Sequence, residues 1–256
     1  RPDVVLAASD PNSSLAAALA SVKLHIPLGH IESGLRSYDR RLPEEYNRVI
    51  CDHLSDYLFA PTETAKSNLL SEGISKNEML YYDRQFTPKI VVTGNTIVDA
   101  IHQNLAVAQK SKILTRLGQV KNGYFLLTCH REENVDFKDK ILGIIEGIKR
   151  VSENFSLAVV FPIHPRTKNR LKAFKLVNEL GKIKNLLCLD PVGFFDLLKL
   201  ESNARLVLTD SGGLQEEACT LRTPCVILRE RTERPEAIVC GAAMLAGTDP
   251  KRIFNV

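Results

Sequence analysis

The stretch Thr209-Asp210-Ser211-Gly212-Gly213-Leu214-Gln215-Glu216-Glu217-Ala218 decides how this chain folds. It follows an apolar run, residues 204–208, that is typical of a buried parallel strand, and it leads into residues 214–221, which have helical composition. Glycines let the backbone approach an anion closely, and the first N–H groups of a helix have no partners within the helix. The stretch therefore predicts a phosphate-binding turn at Ser211, Gly212 and Gly213. Glu217 follows about one turn into the helix, within reach of a hydroxyl such as that of a ribose.

Strand and helix patterns alternate along the rest of the chain, which is typical of a parallel sheet covered on both faces. Strands are predicted at residues 4–8, 27–31, 57–60, 90–93, 125–129, 157–163, 186–189, 205–208 and 225–228. Helices are predicted to begin at Asn12 or Ser13, at Pro43, after Thr62 and at residue 96, where capping residues or a proline stand.

This pattern predicts an α/β protein with two Rossmann-like, doubly wound domains. We place the N-terminal domain at residues 1–110 and the C-terminal domain at residues 111–256, because residues 110–122 are polar and rich in lysine, as a connection between domains would be.

Composition excludes several classes of protein. The chain has 256 residues, of which 25% are charged, and its formal net charge of +4 is spread along the sequence, so binding to nucleic acid or to a membrane is not indicated. Its six cysteines form no C-x-x-C pair and lie mostly in apolar runs, which favours reduced core thiols in a cytoplasmic protein.

Polar side chains follow the predicted strands at the point where each strand ends. In doubly wound sheets ligands bind beyond the carboxyl ends of the strands, so these side chains are expected to share a site. They are Asp10, Glu32, His130 with Arg131, His164 with Arg166, and Asp210 with Ser211.

Each of these residues taken alone has a plainer explanation. Asp10 can cap the following helix, and Glu32 can pair with Arg36. Glu44 and Arg48 have the i,i+4 spacing of an ion pair within a helix. For His164 the alternative is a histidine at the edge of the core.

Together, the residues suit acid–base chemistry on a ligand that carries a nucleoside diphosphate. His130 and Arg131 would face the diphosphate, while Asp10, Glu32 and Glu44 would face the group attached to it. Carboxylates that share a cleft push their pKa values apart, which gives one base and one acid. The sequence has neither a recognisable metal-ligand spacing nor a G-x-G-x-x-G fingerprint, so we expect neither a metal nor a nicotinamide cofactor.

Seven ordered segments together closely resemble the non-hydrolysing UDP-N-acetylglucosamine 2-epimerases. The segments are Gly29 to Arg36 (GHIESGLR), Pro43 to Arg48 (PEEYNR), Phe59 to Glu63 (FAPTE), Thr93 to Asp99 (TGNTIVD), His130 to Asn134 (HREEN), Asp210 to Ala218 (DSGGLQEEA) and Thr232 to Glu236 (TERPE). They span almost the whole chain.

The resemblance implies a two-domain glycosyltransferase-B architecture and the interconversion of UDP-GlcNAc and UDP-ManNAc by elimination and re-addition of UDP. It also implies a homodimer without a cofactor. As the resemblance implies, the acid–base roles fall to Asp10, Glu32 and Glu44, and His130 acts on the leaving diphosphate. The expected UDP- and sugar-binding residues are Arg48, Arg131, His164, Ser211, Gly212, Gly213, Glu217 and Arg234.

The sequence also departs from the family pattern. The family's opening strand and its Gly-Thr-Arg-Pro-Glu loop have no counterpart here, so we expect a piece of a longer protein with an incomplete N-terminal domain. Cys129 stands where the family has glycine, and Pro11 stands where it has threonine. Two alternatives stay open at this point: a hydrolysing epimerase that releases ManNAc and UDP, and an inactive fragment that binds UDP-sugar.

Overall fold

The computed structural model describes residues 1–75, 79–81 and 84–256 of the chain. These residues form two compact units, unit 1 (Arg1–Thr96) and unit 2 (Ile97–Val256). Each unit contains a parallel sheet, so the predicted pair of Rossmann-like α/β domains is confirmed.

Unit 1 has a four-stranded parallel sheet in the order β1-β2-β3-β6. Leu28 and Leu58 are fully buried at its centre. A separate antiparallel pair, β4 and β5, precedes the last strand. The elements of unit 1 are β1 (Val5–Ala8), α1 (Asn12–Lys23), β2 (Leu28–Ile31), α2 (Pro43–Leu54), β3 (Tyr57–Ala60), α3 (Glu63–Ser71), β4 (Met79–Tyr81), β5 (Arg84–Phe86) and β6 (Lys89–Val92).

Unit 2 has a six-stranded parallel sheet. Its elements are α4 (Thr96–Ala108, which begins at the last residue of unit 1), α5 (Ile113–Leu117), β7 (Tyr124–Thr128), α6 (Glu132–Val135), α7 (Lys138–Phe155), β8 (Ala158–Pro162), α8 (Pro165–Ala173), α9 (Val177–Leu180), β9 (Leu186–Leu189), α10 (Phe194–Asn203), β10 (Leu206–Thr209), α11 (Gly212–Leu221), β11 (Cys225–Ile227), α12 (Glu236–Val239), β12 (Ala243–Leu245) and α13 (Pro250–Asn255).

The strand order of unit 2 indicates where a ligand would bind. The sheet runs β12-β11-β10-β7-β8-β9, so the chain moves outward from β7 to β9 and then returns to build the other half from β10. This is the doubly wound order of the Rossmann fold, and the order reverses between β7 and β10. Ligands bind beyond the carboxyl ends of the two strands at that reversal.

The core of unit 2 follows directly from the sequence pattern. All five residues of β7 are buried, as expected for a strand covered on both faces. Helix α7 buries Ile141, Ile144, Ile145 and Ile148, whose spacing of three and four residues makes one apolar stripe against the sheet.

Each strand predicted from the sequence is present, with its ends shifted by no more than one residue. The sequence pattern missed β4, β5 and β12, which have only three residues each. Thr62 caps α3 by accepting a hydrogen bond from the backbone N–H of Ala65, and Pro43 opens α2, as predicted.

The predicted cap of α1 is wrong. Pro11 is the N-cap residue, and its position carries no side-chain capping bond. Asn12 is instead the first helical residue, and its side-chain oxygen accepts a hydrogen bond from Nδ2 of Asn47 on α2 at 3.0 Å. The Asn12 side chain therefore binds α2 and does not cap α1.

The division between the units also differs from the predicted boundary at residues 110/111. Helix α4 belongs almost wholly to unit 2, since Ile101 and Ala108 pack with Leu198 in one buried cluster. The polar stretch 110–122, predicted as a connection, contains α5, and Ile113 of that helix is buried in the core of unit 2.

Candidate functional site

The predicted phosphate-binding turn of unit 2 lies at the point where the strand order reverses. Strands β7 and β10 are neighbours, and the hydroxyl groups of their last residues, Thr128 and Thr209, hydrogen bond at 2.7 Å. Helix α11 begins directly beyond β10 with Ser211 as its N-cap residue, and the Ser211 side chain makes no capping hydrogen bond. The first backbone N–H groups of α11 are therefore placed to hold an anion, together with the Ser211 hydroxyl.

Gly212 allows a second loop to pack against this turn. A Cβ atom at Gly212 would lie 2.6 Å from Oε1 of Glu233 and 3.0 Å from Nη1 of Arg234, so a side chain there would displace the Glu233 carboxylate. At Gly213 the nearest atom to such a Cβ is Cδ1 of Ile97, at 3.9 Å, which leaves that side of the turn open. The guanidinium group of Arg234 thus lies beside the start of α11, as its predicted role requires.

Two carboxylates hold Arg234 in place. Its Nη1 donates to Oε1 of Glu233 at 2.8 Å, and its Nε lies 2.8 Å from Oε2 of Glu216 on α11. Glu233 also pairs at 2.9 Å with the fully buried Arg229, which reaches Glu133 on α6 at 2.6 Å. This line of alternating charges ties α6, the loop after β11 and α11 into one network.

Asp210 anchors the loop that carries His130. Its buried carboxylate accepts hydrogen bonds from the backbone N–H groups of His130 at 3.0 Å and Arg131 at 2.9 Å, and from Nδ2 of Asn134 at 3.1 Å. All three donors are neutral. The carboxylate therefore fixes the backbone of this loop, while the His130 side chain stays 36% exposed with its Nε2 4.0 Å from Asp210.

Burial lowers the pKa of His130 below its ordinary value of 6.5, and the positive charges of Arg131 and Arg166 and the ring of His164 act in the same direction, against the carboxylate of Asp210. His130 is therefore neutral at pH 7 in the free protein. The His130 and His164 rings lie 5.3 Å apart. His164 is exposed and caps α8, where its Nδ1 accepts a hydrogen bond from the backbone N–H of Arg166 at 3.2 Å.

Glu217 lies half-buried on α11 against a second carboxyl group. Its side chain hydrogen bonds that of Glu201 on α10, which is fully buried. In the described part of the chain no N–H or hydroxyl group donates to either side-chain oxygen of Glu201, so a proton on Glu201 is what satisfies the pair. Burial and the Glu217 carboxylate raise the pKa of Glu201 well above its ordinary value, consistent with that proton.

Unit 1 brings its predicted residues to the carboxyl edge of its own sheet. Asp10 follows β1, and its Oδ2 accepts hydrogen bonds from Nε and Nη2 of Arg48 at 3.0 and 2.5 Å. Arg48 is only 2% exposed and also donates to Glu45 at 2.8 Å, so it is held tightly in α2. Glu44 lies half-buried in the first turn of the same helix.

Glu32 directly follows β2 and has a left-handed backbone conformation, with φ of 66°. Such a conformation is uncommon for a residue other than glycine. Gly34, with φ of 82°, packs so closely on α3 that a Cβ atom would lie 2.2 Å from the carbonyl oxygen of Ala65. Arg36, the alternative partner of Glu32, pairs instead with Asp52 and Glu72.

The structure thus places the predicted site residues in two groups, one at the carboxyl edge of each sheet. Unit 1 holds Asp10, Glu32, Glu44 and Arg48, whereas unit 2 holds His130, Arg131, His164, Ser211, Gly212, Gly213, Glu217 and Arg234. Within the ranges the structure describes, no group of three or more His, Cys, Asp or Glu side chains could hold a metal ion. No helix in those ranges is long and apolar enough to span a bilayer.

Sequence reasoning missed the residues that support the site from behind, namely Asp52, Glu201, Arg229 and Glu233. Only Arg229 and Glu233 carried a signal, because they have the i,i+4 spacing of an ion pair. The contacts of Asp52 and Glu201 join segments far apart in sequence.

Comparison with known proteins extends these findings. The sequence profile of the family described as UDP-N-acetylglucosamine 2-epimerase matches residues 1–256. UDP-N-acetylglucosamine 2-epimerase of Methanocaldococcus jannaschii is 50% identical over 258 residues, which covers 100% of this chain and 68% of that protein.

Two solved structures show the same architecture. The Methanocaldococcus jannaschii enzyme in complex with UDP-GlcNAc and UDP has a TM-score of 0.90 at 50% identity, covering 99% of this chain and 67% of that one. The Neisseria meningitidis UDP-GlcNAc 2-epimerase bound to UDP-GlcNAc has a TM-score of 0.84 at 34% identity, with 99% and 67% of the two chains covered.

Proposed function

The chain belongs to the UDP-N-acetylglucosamine 2-epimerase family, and we propose that it interconverts UDP-GlcNAc and UDP-ManNAc without hydrolysing them. The observation that carries this proposal is the turn at residues 211–213, which lies where the strand order of unit 2 reverses, with Arg234 beside it. That geometry suits a diphosphate.

In this proposal unit 2 binds the UDP part of the substrate. The first N–H groups of α11 and the Ser211 hydroxyl hold the diphosphate, while Glu217 accepts hydrogen bonds from the ribose hydroxyls. His130, neutral in the free protein, gains a proton as the negative charge of the departing diphosphate builds up beside it. Arg131 and Arg234 add positive charge on the same side, and the ring of His164 lies 5.3 Å from that of His130.

Unit 1 supplies the acid–base groups for the sugar. One carboxylate removes the C2 proton, the electron pair forms a double bond between C1 and C2, and the C1–O bond breaks with its electrons passing to UDP. A second carboxyl group then delivers a proton to the opposite face of C2 as a diphosphate oxygen attacks C1 again. Asp10, Glu32 and Glu44 are the candidates for these two transfers, and Arg48 orients Asp10 through their ion pair.

The products test the proposal. The intact protein that contains this chain is incubated with UDP-GlcNAc, without added NAD or metal, and the mixture is analysed by NMR and mass spectrometry. UDP-ManNAc in equilibrium with UDP-GlcNAc is the expected result. Free ManNAc with UDP would instead identify a hydrolysing epimerase, and UDP-sugar binding without turnover would identify a binding fragment.

The proposal also includes a homodimer and a cytoplasmic location. The cytoplasmic location is supported by six free cysteines, since structural disulfides are rare in that compartment. Light scattering on the intact protein measures the oligomeric state directly.

A further inference from the structure

A buried histidine connects two loops of unit 1: the loop after β1, which contains Ser9 and Asp10, and the loop after β2, which contains Glu32 and Gly34. The ring of His30 is fully buried; its Nδ1 lies 2.6 Å from Oδ1 of Asp52, and its Nε2 lies 3.0 Å from the carbonyl oxygen of Ser9. A carboxylate and a carbonyl oxygen can only accept hydrogen bonds, so both ring nitrogens must donate. His30 is therefore an imidazolium ion. Its hydrogen bonds to Asp52 and Ser9 raise its pKa, against the effect of burial.

Asp52 also binds the loop after β2, at residues that follow Glu32. Its Oδ2 accepts a hydrogen bond from the backbone N–H of Gly34 at 3.0 Å and lies 2.7 Å from Nη1 of Arg36. Arg36 has a second anionic partner in Glu72, at 2.7 Å. Two cations and two anions thus balance in this cluster, and Asp52 itself is fully buried.

The two loops that this cluster binds contain the acid–base candidates Asp10 and Glu32. Ser9 precedes Asp10 and has φ of 59°, while Glu32, between His30 and Gly34, has φ of 66°. Left-handed backbone at residues other than glycine persists only where the surrounding contacts enforce it. His30 and Asp52 supply those contacts on both loops.

We propose that the His30–Asp52 ion pair is a positioning device that sets the places of Asp10 and Glu32 relative to each other. The inference rests on the proposed function, since it concerns the groups that would transfer the C2 proton. Asp52 and His30 touch no substrate in this account; they act through the backbone of the two loops.

The device depends on protonation. Loss of a proton from His30 removes one of its two donors, so either the Ser9 carbonyl or the Asp52 carboxylate loses its partner. The charged groups that act on the ring are Asp52 and Arg36, and the Cys51 thiol next to Asp52 in sequence is acted on by both Asp52 and Asp10. The carboxylate of Asp52 holds the proton on His30, so removing that carboxylate shifts the pKa of His30 downward. Turnover of the wild type should therefore fall as the pH rises through the pKa of His30. In a variant without the Asp52 carboxylate, the same fall should occur at lower pH.

Asp52→Asn tests the proposal in the intact protein, with Asp56→Asn as the matched control. Asp56 accepts a hydrogen bond from the backbone N–H of Leu28 at 2.7 Å, so it holds the opposite end of β2 without touching either loop. Asp52→Asn is expected to lower kcat about 10- to 100-fold, the scale of a misplaced reacting group, with KM and UDP affinity changed less than about twofold. Asp56→Asn should keep kcat within about twofold.

The pH dependence of kcat separates a positioning role from a loss of stability, because a less stable protein would not by itself shift the pH at which kcat falls. The alkaline fall in kcat should begin at lower pH in Asp52→Asn than in the wild type or Asp56→Asn. His30→Gln, which keeps one donor, should lower kcat also, and combining it with Asp52→Asn should add little. A near-normal kcat in Asp52→Asn, or in His30→Gln where Asp52→Asn does not fold, overturns the proposal. Absence of epimerisation in the wild type would instead refute the proposed function.

Discussion

Asp52 in unit 1 and Asp210 in unit 2 are both buried and both anchor a loop with candidate site residues, but with different partners. Asp210 accepts hydrogen bonds from three neutral N–H donors near His130. Asp52 binds one N–H group and two cations, His30 and Arg36. The loops of unit 1 therefore depend on charge and protonation, whereas the loop of unit 2 depends on hydrogen bonds from neutral donors.

This difference matches the roles proposed for the two units, UDP binding in unit 2 and proton transfer in unit 1. A diphosphate needs a rigid set of N–H donors that works over a wide pH range, and unit 2 provides one at the start of α11. Proton transfer needs carboxylates held at fixed places, and in unit 1 Glu32 and Ser9, the residue before Asp10, have left-handed backbone conformations. Changes in unit 1 should thus affect turnover, and changes in unit 2 should affect UDP binding.

The largest expected effect comes from removing an acid–base group of unit 1. In the intact protein, Glu32→Gln and Asp10→Asn should each lower turnover at least ~100-fold, the usual effect of losing a general acid or base. UDP affinity should stay nearly unchanged, because the proposed UDP contacts lie in unit 2. Enzyme kinetics and calorimetry with UDP measure the two quantities. A variant with a near-normal rate would make that residue structural.

In unit 2 the corresponding change is Ser211→Ala combined with Glu217→Ala. The double variant should weaken UDP binding by more than about 2 kcal/mol, because two hydrogen bonds to charged groups are lost. Titration calorimetry measures this loss, with Glu153→Ala, at an exposed position of α7, as the control. Unchanged UDP affinity in the double variant would reject the assignment of the phosphate-binding turn.

A smaller effect concerns the pH dependence of UDP binding. The pKa of His130 lies below 6.5 in the free protein because of burial and nearby positive groups, and a bound diphosphate should raise it. UDP affinity should therefore be highest at or below the free-state pKa and fall several-fold as pH rises through the bound-state pKa. Calorimetry between pH 5 and 8 tests this.

The matched variant for that experiment is His130→Gln, which keeps a hydrogen-bonding side chain but cannot titrate. The part of the pH dependence due to ionisation of UDP itself should remain in this variant. If the wild type and His130→Gln show the same profile, His130 does not take up a proton when UDP binds.

The smallest expected effect on UDP binding comes from Glu201→Gln, because an amide keeps a donor toward Glu217. The variant should instead raise stability. The pKa of Glu201 is raised in the folded protein. The contribution of its carboxyl group to the free energy of unfolding is therefore fully present below the unfolded-state pKa of about 4.3, and it is lost as the pH rises toward the folded-state pKa. At pH 7, Glu201→Gln should be more stable by at least about 1 kcal/mol.

Denaturant unfolding of both proteins across this pH range measures the difference. The stability gain of Glu201→Gln should shrink toward pH 4, where the wild-type carboxyl group is protonated in both states. A gain that does not vary with pH would mean that Glu201 shares no proton with Glu217.

Local patterns in the sequence were enough to predict the sheets and the Ser-Gly-Gly turn between β10 and α11. The strands are apolar runs bounded by polar residues, and the Ser-Gly-Gly turn lies at the start of a helix, so each signal is contained within about ten residues. The carboxylates and histidines at the strand ends could be found for the same reason.

Two of the supporting residues, Asp52 and Glu201, could not be predicted because tertiary contacts define them. Nothing within the sequence around Asp52 indicates that its carboxylate meets His30, 22 residues earlier. The division between the units was misplaced for a similar reason, since the packing of Ile101 against Leu198 assigns α4 to unit 2. The cap of α1 was lost to a contact with Asn47 on another helix.

The central claim is that carboxylates of unit 1 remove the C2 proton while unit 2 holds UDP, and solvent exchange tests it most directly. The intact protein is incubated with UDP-GlcNAc in D₂O, without NAD or metal, and the product is followed by proton NMR. Because the abstracted proton resides on a carboxylate in contact with water, UDP-ManNAc should carry deuterium at C2 from the first turnovers. UDP-ManNAc that retains its original proton at C2 would contradict this account.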